Sequence, residues 1–174
     1  MKEFRVLAAA LCMLLVSLTV SGVRSVSATP ESSTYDIYEE SEKLVALTFD
    51  DGPKEGKTDT LLDMLKEKGV HATFFMIGAQ VEENQALVRR VYEEGHQIGI
   101  HTYSHVDLGC LSEGEQKEEI EKSEAAIEAV TGQGELMLRP PFGRINETLE
   151  DWLDCPMILW SVDTEDWTGK SAAE

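Results

Sequence analysis

The chain has 174 residues, with 33 acidic against 15 basic side chains and a formal charge of −18. Such an excess of carboxylates excludes nucleic acid and anionic membrane surfaces as natural partners. It reads as a solvated acidic exterior, much of it on a predicted helix from Glu113 to Glu128.

At the N-terminus, Lys2 and Arg5 precede an uncharged apolar run over 6–20, and small residues end in Val26-Ser27-Ala28. A basic start, an apolar stretch and a small-residue cleavage site predict a signal peptide over 1–28 and a secreted or cell-surface protein. The run is shorter than the roughly 20 apolar residues a span needs, so a membrane would hold the chain only through an uncleaved signal. Removing 1–28 takes away three cations against one anion, which leaves 146 residues and a charge of −20. That length suits one domain, expected as a monomer. Residues 29–43 are polar and aperiodic and read as a linker, with the domain proper over 44–174. Cys110 and Cys155 are the only cysteines after the signal; a disulfide and two buried free thiols both remain open.

The run 44–49 predicts a buried strand. Leu61, Leu62 and Leu65 fall at helical spacing within 58–68, and Gly69 ends that helix. A second strand is expected over 71–77, and a helix over 81–94 closed by Gly95. Residues 97–100 form a third strand, and Ser112 with Glu115 opens a capping-box helix to about Thr131. A fourth strand over 136–138, a helix over 146–153 and a fifth strand over 157–162 complete the series. Alternating strands and helices imply a parallel sheet covered by helices, either an open doubly wound sheet or a barrel.

Polar clusters follow four of the five strands: Asp50-Asp51, His101 to His105, Arg139 to Gly143 and Asp163 to Trp167. In parallel α/β folds these strand ends share one face, where sites form. Two imidazoles four residues apart can bind one metal, and with one carboxylate they leave a position open for chemistry. A turn explains Asp-Gly-Pro equally well when taken alone. Combined with the histidines, however, one aspartate can ligate while the other stays free as a general base. Arg139 can orient that base, and the prolines stiffen a loop whose Phe142 N–H can face an oxyanion.

These four blocks resemble the motifs of the polysaccharide deacetylases of the NodB-homology type, carbohydrate esterase family 4. Thr48-Phe49-Asp50-Asp51-Gly52-Pro53 matches the first, and His101-Thr102-Tyr103-Ser104-His105 the second. Arg139-Pro140-Pro141-Phe142-Gly143 matches the third with Phe142 in place of Tyr, and Asp163 to Trp167 the fourth. The resemblance implies an α/β fold, a distorted (β/α) barrel, and removal of acetyl groups from polysaccharides. It implies Asp50 as catalytic base, Arg139 as its orienting partner, and Asp51, His101 and His105 as ligands of a divalent metal, usually Zn2+. It also implies the Phe142 backbone as oxyanion donor and Trp167 as a wall of the substrate pocket.

The family's later Leu-x-x-His motif, source of the general acid, does not occur in this sequence. Asp166 resembles that histidine's partner. The expectation is therefore a barrel incomplete at the C-terminus and weak activity at best. The expected substrate is peptidoglycan N-acetylglucosamine, with chitin oligosaccharides or acetylxylan as alternatives on the same scaffold. A catalytically silent metal- or glycan-binding module is the reading from a different class.

Overall fold

The computed structural model describes residues 44–169. The predicted signal peptide over 1–28 and linker over 29–43 lie outside the described residues. Three parallel strands form the sheet: β1 (Thr48–Gly52), β2 (Thr73–Met76) and β3 (Gln97–Ile100), in the order β1-β2-β3. Two further segments extend it by single parallel bridges, Ile100 to Leu138 and Leu138 to Met157. Spatial order therefore equals chain order across five segments. A doubly wound sheet reverses its order at a switch point, so the arrangement is an arc of a (β/α) barrel. Among the described residues, β1 pairs on one side only.

The helices are α1 (Thr58–Lys68), α2 (Gly78–Glu83), α3 (Gln85–Glu93), α4 (Glu113–Thr131) and α5 (Glu147–Trp152). Helix α1 has the bounds predicted for it and ends at Gly69 in the left-handed region, φ 62°. The Glu115 carboxylate accepts from the Ser112 N–H at 2.9 Å and from its hydroxyl at 2.6 Å, which fastens the start of α4 as the capping-box spacing predicts. Asn146 caps α5 by accepting from the Leu149 N–H.

Alternation along the strands sorts the side chains onto two faces. Phe74 and Met76 of β2, Ile98 and Ile100 of β3, and Leu138 join the core. Leu62 and Leu65 of α1, Val88 and Val91 of α3, and Ile120, Ile127 and Val130 of α4 close over them from the helical layer. The alternate positions are Thr48 and Asp50 on β1, Phe75 on β2, Gly99 on β3 and Arg139 beyond Leu138. Those residues meet one another instead. The Arg139 guanidinium lies 4.1 Å above the Phe75 ring, and Phe75 occupies the space that a side chain at Gly99 would fill.

The structure corrects three expectations. Strand pairing begins at Thr48, and Leu44, Val45 and Leu47 are exposed, so 44–49 is not a buried strand. The helix expected over 81–94 is two helices with Asn84 between them; the Asn84 amide donates to the Gln80 carbonyl, and its backbone (φ −128°, ψ 39°) leaves the helical region. The fourth and fifth strands shrink to their bridges. Prolines at 140 and 141 cannot donate to a ladder, so pairing stops after Ile158 N–H bonds to the Leu138 carbonyl. Leu159, Trp160 and Val162 are consequently exposed.

Gly99→Ala tests the packing of the inner face. A Cβ there would stand 2.6 Å from the Phe75 ring and 2.9 Å from the Met137 carbonyl, which is backbone and cannot yield easily. Overpacking of this kind costs about 1–3 kcal/mol. A lower urea midpoint with an unchanged slope is the expected result; an unchanged midpoint would contradict the packing described.

Candidate active site

The site begins with an irregularity in β1. Phe49 pairs with Phe74 and Gly52 with Met76, so Asp50 and Asp51 together oppose the single residue Phe75. Two residues facing one is a β-bulge, which re-aims side chains that strict alternation would send to opposite faces. Asp51 takes φ 64° within it. Adjacent carboxylates on a regular strand would face opposite ways, so reaching one cleft requires a break in the alternation. The bulge is the actual device.

Asp51 meets the two histidines. Its Oδ1 lies 3.4 Å from His101 Nε2 and 3.1 Å from His105 Nε2. One ligand atom from each of the three residues lies within 4.8 Å of the others. A tetrahedral zinc with bonds of roughly 2.1 Å has donor–donor edges of about 3.4 Å. The spacing and the nitrogen and oxygen donor set therefore fit a small divalent ion. His101 is 3 % exposed, and its Nδ1 lies 2.6 Å from the Arg139 carbonyl. A carbonyl can only accept, so Nδ1 carries the proton and the Nε2 lone pair of the neutral ring is left for a metal. In the ion-free form, in contrast, a proton on His101 Nε2 would donate to Asp51 and hold its carboxyl below its ordinary pKa; partial burial opposes this, and positive charge on His105 and His101 adds to it.

Asp50 is held apart from this cluster. Arg139 Nη1 donates to its Oδ1 at 2.8 Å and to Thr48 Oγ1 at 2.8 Å. The same guanidinium donates through Nε to the Ile158 carbonyl and through Nη2 to the Leu159 carbonyl. Arg139 is 3 % exposed, so its charge depends on these partners.

Phe142 also has a left-handed backbone, φ 61°, in the turn Pro141–Gly143. Its ring packs edge-on against His105 with centroids 5.0 Å apart. The bonds that close the turn come from Gly143 and Arg144. Asp166 and Trp167 lie in a short exposed turn, Asp166–Thr168. The Asp166 carboxylate accepts from the Thr164 hydroxyl, and Trp167 is 78 % exposed. The structure thus brings Asp50, Asp51, His101, His105, Arg139 and Phe142 together, and among the described residues no hydrogen bond or ring contact joins Asp166 or Trp167 to them. Cys110 and Cys155 are both free.

The sequence reading missed three neighbours. Thr48 shares the Arg139 Nη1 donor with Asp50. Its place two residues before Asp50 on the strand was the available signal. Gln80, with its amide nitrogen turned toward the bulge, donates to the Asp51 carbonyl at 3.1 Å and the Pro53 carbonyl at 2.9 Å. Trp160 stands where a Cβ on Gly143 would meet its ring at 3.1 Å, and its ring centroid is 5.9 Å from the Arg139 guanidinium carbon. Neither of these two carries a sequence pattern that distinguishes it from an ordinary helix or strand residue.

The family model described as polysaccharide deacetylase matches residues 38–154. The chain belongs to the polysaccharide deacetylase family. It is 44 % identical over 130 residues to the peptidoglycan-N-acetylglucosamine deacetylase PgdA of Listeria monocytogenes, covering 75 % of this chain and 28 % of that protein. It is 37 % identical over 142 residues to the peptidoglycan-N-acetylmuramic acid deacetylase PdaC of Bacillus subtilis, covering 82 % of this chain and 30 % of that one. The solved structure of PdaC superposes with a TM-score of 0.72 at 38 % identity, over 76 % of this chain and 65 % of the solved chain. A bifunctional xylanase/deacetylase of Pseudobutyrivibrio xylanivorans is 36 % identical over 135 residues, 77 % of this chain and 22 % of that protein. This polysaccharide deacetylase chain therefore spans under a third of the length of the PgdA and PdaC sequences it matches.

Removing the guanidinium should be costly. Arg139→Ala leaves Asp50 and two strand carbonyls without their donor. Breaking a buried ion pair costs about 3–5 kcal/mol; partial exposure of Asp50 places the expected loss near the lower end, about 3 kcal/mol. Chemical denaturation measures it, and a loss below about 1 kcal/mol, the range of an exposed pair, would show that the pair is not supporting the fold.

Proposed function

We propose that this chain carries the site of an exported, metal-dependent deacetylase acting on N-acetylglucosamine of peptidoglycan. The single observation behind this reading is the division of labour between adjacent aspartates. Asp51 joins His101 and His105 at ligand spacing, while Asp50 is turned to Arg139. The proposed domain is residues 44–174, with 1–28 as export signal and 29–43 as linker. The names of the relatives support a wall polymer as substrate, and the acidic charge of −18 suits a neutral polymer better than a polyanion.

Asp51, His101 and His105 would hold the ion, for which Zn2+ is the choice that fits two imidazoles and one carboxylate. A divalent ion bound there supplies a Lewis acid that acidifies water and polarises the acetyl carbonyl. Asp50 then accepts the proton of the attacking water. Arg139 keeps that carboxylate aimed, because its Nη1 donates to one oxygen and leaves the other for the proton. The rigid Pro140-Pro141 turn presents the Phe142 backbone, the proposed oxyanion donor. Trp160 and Phe142, both partly exposed beside the cluster, supply apolar surface for a sugar face.

The second reading, a catalytically silent metal- or glycan-binding module, is favoured by Asp166. Its carboxylate accepts from the Thr164 hydroxyl within its own turn and makes no hydrogen bond to the cluster among the described residues.

Acetate release from a chitooligosaccharide and from peptidoglycan, with and without zinc, separates the readings. Zinc-dependent release supports the enzyme. Saturable zinc binding with no release from either substrate supports the silent module. Metal binding is checked independently by thermal unfolding. Zinc at 100 times its Kd should add about 2.7 kcal/mol of stability, and His101→Ala should abolish that gain. Asp50→Asn should retain it while losing acetate release; full activity in Asp50→Asn would show that another group is the base.

A further inference from the structure

Helix α4 contributes no ligand to the cluster, yet one of its side chains holds the segment between the two histidines. The Glu119 carboxylate accepts from the Tyr103 N–H at 3.0 Å, the Ser104 N–H at 2.8 Å and the Ser104 hydroxyl at 2.7 Å. From the other side, the first N–H groups of α2 clamp the same segment. Gly78 donates to the Thr102 carbonyl and Ala79 to the Tyr103 carbonyl, both at 3.0 Å. The residues at the two ends of this stretch are strained: Thr102 has φ 61° and His105 has φ 58°. Neither is glycine, and each such conformation costs on the order of 1–3 kcal/mol unless its surroundings enforce it. Successive N–H groups converging on one anion form a local nest, and here the anion is built into the protein.

The consequence is geometric. His101 is fixed by its own bond to the Arg139 carbonyl. Among the described residues the His105 ring has no such anchoring bond to a backbone carbonyl; it meets Asp51, the His101 ring and the Phe142 edge. Its position relative to His101 is therefore set by the backbone between them, which Glu119 holds at its middle. We propose that Glu119 is a positioning residue that sets the separation of the two histidine nitrogens, and with it the affinity and coordination geometry of the ion. This rests on the metal reading of Asp51, His101 and His105.

The test is metal binding to the full chain, by zinc titration and by the visible spectrum of the cobalt(II)-loaded protein. Glu119→Gln exchanges one carboxylate oxygen for an amide nitrogen, which donates and cannot accept, and removes the negative charge on which the three donors converge. Zinc affinity should fall about 10–100-fold, the range of outer-shell losses. The cobalt bands should change in position or intensity while the far-ultraviolet circular dichroism stays at wild type. Ser104→Ala removes one of the three bonds and should give a smaller loss in the same direction. Glu118→Gln, on the neighbouring exposed residue, should match wild type.

Wild-type affinity and an unchanged cobalt spectrum in Glu119→Gln would overturn the proposal while leaving the metal site standing. Should Glu119→Gln fail to fold, wild-type affinity in Ser104→Ala would overturn it instead. No zinc uptake by the wild-type chain would remove the metal reading itself, and this proposal with it.

Discussion

The structure depends on one buried cation. Arg139 reaches across the inner face of the arc and joins three of its five strand segments through Thr48 and Asp50 on the first and the carbonyls of Ile158 and Leu159 on the last. A buried guanidinium is tolerable only when its donors are met and its charge is answered. Asp50 answers it, and Phe75 offers its ring face from below. That ring fits because the next strand has glycine at position 99. The apolar inner face and the polar site are thus one packing problem with one solution.

Adjacent residues in a regular strand face opposite ways, so two neighbouring aspartates should not share a cleft. The bulge in β1 resolves this by giving Asp50 and Asp51 a single opposing residue. Asp50 keeps the inward direction of Thr48 and meets Arg139. Asp51, at φ 64°, swings toward the histidines. Among the described residues, four of the six non-glycine positions with positive φ are Asp51, Thr102, His105 and Phe142, all in or beside the cluster. Each costs on the order of 1–3 kcal/mol. The surrounding bonds from Gln80, Gly78 and Ala79 are where that cost is met.

Much of this was legible in the sequence, for identifiable reasons. Helix α1 and strand β3 follow from spacing and from Gly69, because local periodicity decided them. The convergence of Asp51, His101 and His105 follows from their place after parallel strands. What could not be read was backbone geometry. No glycine marks the left-handed conformations of Asp51, Thr102 or His105, so composition gave no sign of the bulge or the strained loop. The fourth and fifth strands were over-read for a related reason. An apolar run such as 157–162 states that burial is favourable, but not which neighbour provides it, and Leu159, Trp160 and Val162 stay exposed. The break at Asn84 was equally hidden, since apolar spacing continues across it from Val81 to Val88.

Arg139 also explains how the two halves of the site keep their relative positions. Its side chain fixes Asp50, the proposed base. Its carbonyl receives the proton of His101 Nδ1 and so sets the tautomer of a proposed ligand. Base and ligand are therefore referred to a single residue, and their separation cannot drift with side-chain motion elsewhere. The two parts of Arg139 lie on a segment that bridges both neighbours at Leu138, and the Arg139 N–H bonds to the Ile100 carbonyl. Ile100 directly precedes His101. A displacement of this segment would shift the base, the ligand and the strand that carries the ligand together. That shared dependence is why a site assembled from short and strained loops can hold donor spacings of 3.1 and 3.4 Å.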